Sequence, residues 1–210
     1  MGMKYLLSWY GITDIRSAMG FDYQGPILGA LTTGKFDEIH ILAYTKKKEF
    51  SEEELISQHH AVSDLNNFQG GLSSLSKEES WKYVDALANT PTGHQFYVNW
   101  LNEQLAELGI NVNVILHECF LSELNDTEGI YFSAVKALTA AAAAQDSKIT
   151  FFLSPGTPVM AFSWALAMLA FPGVDIKLLA SPDFRKGVNS ITIPGSILQH
   201  IENGRKKMGC

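Results

Sequence analysis

The sequence predicts a Rossmann-like α/β fold: a mainly parallel sheet, helices on both faces and a long helical insertion between the second and third strands. Three observations carry this. Short apolar runs alternate with helical patterns along the chain. Several runs are apolar throughout, as strands buried on both faces are. The segments between them carry the caps and apolar stripes of helices packed on a sheet.

The elements follow in order. "KYLLSWY" (4–10) is the first strand, and the polar "GITDIRSAMGFDYQ" after it reads as a loop. "GPILGALTTG" (25–34) is a helix with Pro26 in its first turn and Gly34 just past its end. "EIHILAY" (38–44) is the second strand. About sixty residues then separate Tyr44 from Asn111, where one crossover helix would suffice. This insertion, about 46–109, reads as two helices preceded by a mobile loop near Gly70-Gly71. One helix is "SKEESWKYVDALAN" (76–89), opened by a capping box at Ser76 and Glu79. The other is "GHQFYVNWLNEQLAELG" (93–109), with a stripe of Phe96, Trp100, Leu101, Leu105 and Leu108. Strands follow at 111–118, 148–154 and 174–180, with a short edge strand at 190–194. Ala-rich "GIYFSAVKALTAAAAAQ" (129–145) and apolar 158–171 supply the remaining helices.

Composition limits the partners. The 210 residues suffice for one domain with a full core, and 46% apolar with 18% charged residues is the balance of a folded protein. A net charge of −6 gives duplex DNA no bulk attraction, so a polyanion needs a local N–H-rich pocket. Cys119 and Cys210 lie in unrelated contexts with no CxxC, which argues against a zinc site or a disulfide framework and for a cytoplasmic chain. The run from Ile149 to Phe171 is broken by Pro155, Gly156 and Pro158, so no membrane span is expected. No GxGxxG follows the first strand and no GxxxxGK[ST] occurs, so no cofactor is expected.

In open parallel sheets, ligands bind beyond the carboxyl ends of the strands where the strand order reverses. Two loops answer to that rule and would face each other over one crevice. The first begins Ser8-Trp9-Tyr10-Gly11-Ile12-Thr13-Asp14. It reads either as an Asx-capped turn or as a ligand loop whose Thr13 and Asp14 bond a ribose or a base edge. The second is Ser154-Pro155-Gly156-Thr157-Pro158, where an apolar strand feeds a helix without a spacer. Thr157 can cap the helix, Pro158 suits its first position and Gly156 permits close approach or positive φ. Capping explains Thr157 and Pro158. The clustering of Ser154, Gly156 and Thr157 at a strand end suits a phosphate on free N–H groups.

The stretch "ITFFLSPGTPVMAFSWALAML" resembles the strand-turn-helix signature of CARF domains, the CRISPR-associated Rossmann-fold sensors of antiviral defence. Many of those carry a Ser/Thr-Gly-Gly-Thr-Lys turn; here it is Ser-Pro-Gly-Thr-Pro followed by Val159, Met160 and Ala161. That form is more specifically similar to the sensor domains of RNA-repair operon regulators. "LLSWYGITD" sits where the family places its other ligand loop. The resemblance implies a homodimeric domain over residues 1–210 that binds a cyclic oligoadenylate or an RNA end. The implied ligand residues are Ser8, Tyr10, Gly11, Thr13, Asp14, Ser154, Pro155, Gly156, Thr157 and Met160. No nuclease, helix-turn-helix or AAA+ pattern is visible, so a sensor fragment of a larger protein is implied. Pro158 replaces the lysine tied to ring-nuclease activity in some members, which favours binding over catalysis. The alternative is a nucleotide-processing enzyme, a ring nuclease or glycosidase, with Asp14 or Glu118 as its acid or base.

Other clusters promise less. His59-His60 with Asp64 could suggest a metal, yet adjacent helical histidines point about 100° apart. His117 and Cys119 share a strand face, but burial is the commoner fate of such a cysteine. His40, His94 and His200 have no evident partners. Trp81, Phe96 and Trp100 read as core. Arg185 or Lys186 in "DFRK" could reach the crevice, though a solvated loop is the simpler reading. Lys206-Lys207 reads as a solvated tail. The helix at 158–171 is apolar nearly all round, which is costly to leave in water and favours a two-fold dimer through it or its neighbour, the alternative being that the long insertion covers it within one chain.

Overall fold

The computed structural model describes residues 2–21, 24–67, 75–143, 146–171, 173–181 and 187–197, with 199 and 203. The chain runs β1 (Lys4–Trp9), α1 (Ile12–Ala18), α2 (Pro26–Thr33), β2 (Glu38–Lys46), α3 (Glu52–Asn67), α4 (Lys77–Leu87), α5 (Pro91–Glu107), β3 (Asn113–Leu121), α6 (Thr127–Ala142), β4 (Lys148–Phe152), α7 (Pro158–Ala170), β5 (Asp175–Ala180) and β6 (Asn189–Ile191). The strands form one sheet in the order β3-β2-β1-β4-β5-β6. The first five are parallel and β6 is antiparallel. The Rossmann-like prediction holds, including the helical insertion between β2 and β3.

Strand periodicity separates two cores. Leu6, Ile39, Ile41 and Phe152 face α1 to α5. Tyr5, Leu7, Trp9, Phe151 and Leu178 face α6 and α7. Alternate side chains of each strand thus enter opposite layers, which is why the strands read as continuous apolar runs. β1 and β4 pair at the centre, while the crossovers that leave them pack on opposite faces. The order reverses there, and the carboxyl ends of β1 and β4 make the switch point.

Three expectations need correction. The stretch after β1 is not all loop: residues 12–18 form α1, whose Asp14 carboxylate accepts the Gly11 N–H at 3.1 Å. The insertion holds three helices, because "HHAVSDLNN" lies within α3, which buries only Gln58, Ala61 and Leu65 and leaves even Leu55 and Ile56 exposed. The buried face of α5 is His94, Tyr97, Val98, Leu101 and Leu105, whereas Leu108 of the expected stripe is exposed. The Ser76–Glu79 capping box forms as expected. The loop near Gly70-Gly71, the "DFRK" stretch, His200 and the 206–207 lysine pair lie outside the described residues.

Candidate ligand-binding site

The two loops meet at the switch point through their glycines. A Cβ placed on Gly11 would stand 3.2 Å from the Gly156 nitrogen. Gly156 itself has φ +90, and a Cβ there would meet Met160 Sδ at 2.7 Å and Trp9 Cβ at 3.2 Å. Position 156 therefore favours glycine for its left-handed backbone as well as its close contacts, while Gly11 leaves little room for a side chain against it. Thr157 caps α7: its hydroxyl accepts the Met160 N–H at 3.3 Å. The Thr157 N–H reaches only the Met160 thioether at 3.4 Å. The Gly156 N–H has no acceptor among the described residues, and Gly156 is exposed. A donor without a protein acceptor among the described residues thus belongs to an exposed glycine at the positive end of a 13-residue helix.

The candidate residues separate into a lining and a support. Gly11 and Thr13 are half-exposed beside exposed Ile12, opposite Gly156 and Thr157. The others turn inward. The Ser8 hydroxyl is fully buried and donates to the carbonyls of Trp9 and Phe152, stitching β1 to β4. Ser154 is held by Ser181, whose N–H donates to its Oγ while that Oγ reaches the Ser181 carbonyl. Pro155 and Met160 are buried under the turn. Asp14 is 1% exposed, and its carboxylate accepts the N–H groups of Gly11 and Ile27 at 3.1 and 3.0 Å. Desolvation raises its pKa to about 7, against the pull of those two N–H bonds. Asp14 therefore anchors the loop from behind and does not reach a ribose in this arrangement.

Beneath the loop lies a polar chain. Tyr10 hydrogen-bonds His94 Nδ1, and His94 Nε2 bonds the Thr45 hydroxyl at 3.0 Å. The Tyr10 ring stacks on Tyr97, centres 4.6 Å apart and planes 6° from parallel. Burial holds the Tyr10 phenol protonated, and lowers the His94 pKa to about 4, so the imidazole stays neutral. His94 had no evident partner because its contacts come from the loop after β1 and from β2, both distant in sequence. Its spacing to Tyr97, Leu101 and Leu105 was the available signal. Ile12 and Gly25 were also missed. Gly25 is needed because a Cβ there would approach Asp14 Oδ1 to 3.0 Å.

The alternative acid or base, Glu118, is exposed on edge strand β3, two strands from β1 in the sheet order. His59, His60 and Asp64 are exposed, and no group of three metal-ligating side chains gathers among the described residues. Cys119 is buried and its thiol pKa is pushed up to about 11, chiefly by desolvation. No helix among the described residues is long and apolar enough to cross a membrane.

No family model matches the chain, and no curated protein matches it. Among solved structures it is similar to Enterococcus italicus Csm6 bound to cyclic hexa-2'-fluoro-hexa-dAMP, at 14% identity and a TM-score of 0.56. That likeness covers 99% of this chain and 45% of the Csm6 chain. It is a likeness of fold. The chain spans less than half the length of the protein it matches.

Proposed function

We propose that the chain is a single sensing domain that binds a nucleotide ligand, a cyclic oligoadenylate or an RNA end, at the Gly11–Gly156 crevice. The observation that carries the reading is the N–H of exposed Gly156 just before α7, without an acceptor among the described residues and set against a second glycine loop at the switch point. A phosphate oxygen there takes the N–H of Gly156 and that of Thr157, which has only a thioether for a partner. The helix end adds up to about 2 kcal/mol in a partly buried site. Thr13 offers a hydroxyl to a ribose or base edge, and Ile12 an apolar surface to a base. Ser8, Tyr10, Asp14, Ser154, Pro155 and Met160 hold these groups in place. The fold shared with Csm6, solved with a cyclic oligonucleotide, agrees with this reading.

The ligand leaves intact in this account, because neither Asp14 nor Glu118 stands free at the crevice. The signal serves a defence or RNA-repair response through an effector carried elsewhere. A second copy pairs through α7, which buries Met160, Ser163, Trp164 and Ala167 inward and leaves Phe162 58% exposed.

The test exposes the protein to cyclic tri-, tetra- and hexa-adenylate and to short RNAs ending in a 2′,3′-cyclic phosphate. Binding is read by calorimetry and turnover by chromatography. One ligand class should bind and be recovered whole. Failure of every ligand to bind would remove the sensor reading, and turnover would replace it with a processing enzyme.

A further inference from the structure

At the opposite end of the sheet from the crevice, the amino ends of β1, β4 and β5 border a cavity of about 330 Å³. Four lysines line it: Lys4, Lys35, Lys148 and Lys177. Strand register explains the gathering. Lys4 pairs with Lys148 and Lys148 with Asp175; two residues on, Thr150 pairs with Lys177. Side chains alternate along a strand, so Lys4 shares the face of Leu6, Lys148 and Thr150 that of Phe152, and Lys177 that of Leu179. That is the face toward α1 to α5. Lys35 and Phe36 join the lining from the connection between α2 and β2. The Phe36 ring packs against the core and fills the space that a Cβ on Gly34 would take.

Among the described residues, none of the four ammonium groups has an ion-pair partner. Like charges side by side on a sheet repel, so Lys4 beside Lys148 costs stability unless an anion joins them. Thr150 supplies a second observation. It is only 9% exposed and lines the cavity, yet its hydroxyl makes no hydrogen bond with any described residue.

We infer that this cavity is a second anion site, which binds a compact polyphosphate: free tripolyphosphate or the phosphate tail of a nucleoside triphosphate. Lysine is a compact charge with rotatable donors on a flexible stem, and it serves phosphate without a fixed fork geometry. Strands about 4.8 Å apart set the stems of Lys4, Lys148 and Lys177 close together, so several phosphate oxygens are met at once. The nearly buried Thr150 hydroxyl adds an uncharged donor. Size and charge select the compact ligand. The cavity lies at the lower end of the range for small-molecule sites. A chain of net charge −6 repels a long polyanion wherever it runs beyond the four lysines. Two carboxylates temper the site. Asp175 in the lining opposes an anion, whereas the Asp37 carboxylate accepts the backbone N–H of Lys4 at 2.7 Å. Phe36 offers an apolar wall to a nucleoside where the ligand carries one. No residue here belongs to the crevice.

Calorimetry in low-salt, magnesium-free buffer with sodium tripolyphosphate, ATP and a short hydroxyl-ended RNA strand tests this. One tripolyphosphate should bind per chain, and more weakly as salt rises. Lys148→Gln/Lys177→Gln should weaken it at least about tenfold, because hydrogen bonds between charged groups are the strong ones. Thr150→Val should weaken it several-fold without lowering the melting temperature, and Asp175→Asn should tighten it. Lys46→Gln/Lys47→Gln removes the same charge at the far end of β2 and should bind as wild type does. ATP that competes with tripolyphosphate identifies a nucleotide tail as the ligand, and exclusion of ATP identifies the free polyphosphate; both support the site. No stoichiometric tripolyphosphate binding, binding that survives Lys148→Gln/Lys177→Gln, equal losses from the two lysine pairs, or tighter binding of the RNA strand would overturn it.

Discussion

The backbones of Gly11 and Gly156 close the switch point between β1 and β4: a Cβ on the first would stand 3.2 Å from the nitrogen of the second. The two are not equivalent. Gly156 also sits at φ +90 and would press a side chain onto Met160 and Trp9. Gly156→Ala should cost roughly 1–2 kcal/mol from the left-handed backbone alone, before those contacts are counted. Gly11→Ala should cost less. Urea midpoints check the order. For the same reason a bulky residue at 156 is not a clean probe of ligand binding.

Tyr10→Phe should keep the ring stack on Tyr97 but leave His94 Nδ1 buried without its partner. An unpaired buried acceptor costs about 1–3 kcal/mol. The measurement is the unfolding free energy at pH 7. A neutral result would mean that the Tyr10–His94 bond contributes nothing to holding the loop.

Acid should destabilise the fold through His94. Its folded pKa of about 4 lies below its unfolded 6.5, so the unfolded chain takes the proton first. The stability it contributes is present above 6.5 and lost as pH falls through 4, up to about 3 kcal/mol. Asp14 runs the other way. Its folded pKa, raised from 3.8 to about 7, gives a contribution that is full in acid and lost as pH rises through 7. Comparing wild type with His94→Leu at each pH isolates the histidine, because Asp14 is present in both. The wild type should lose more stability between pH 6.5 and 4.

Phe162 is 58% exposed on α7. If α7 joins two copies, Phe162→Asp should convert a dimer to a monomer in light scattering with little change in melting temperature. A wild type that is monomeric at micromolar concentration would remove the dimer from the account.

The strands were legible because two-sided burial makes them continuous apolar runs, and the Ser154–Pro158 turn because glycine, a cap and a proline fall together. α1 was not. Its seven residues begin Ile-Thr-Asp after the N-cap Gly11, a pattern that a turn and a capped helix share. α3 hid because only three of its sixteen residues are buried, which leaves no clear apolar stripe. Side-chain roles were less legible than positions. Ser8, Asp14 and Ser154 stand at the two loops of the switch point, yet local sequence does not say that Phe152, Ile27 and Ser181 are their hydrogen-bond partners. Partners that arrive from distant elements, such as Tyr10 for His94 and His117 for His40, follow from strand register and helix packing.

Ile12 offers the most direct test of the central claim, that the crevice holds an anionic nucleotide. It is 45% exposed beside Gly11 and lies in the first turn of α1, where an acidic residue is favourable for a helix. Ile12→Asp should therefore melt no lower than Ile12→Asn while placing a carboxylate at the mouth of the crevice. The measurement compares the affinities of these two variants for whichever cyclic adenylate or RNA end binds the wild type most tightly. The account predicts at least about a tenfold weaker Kd for the aspartate variant, roughly 1.4 kcal/mol, with the gap narrowing as salt screens the charges. Equal affinities of the two variants at low salt would contradict it.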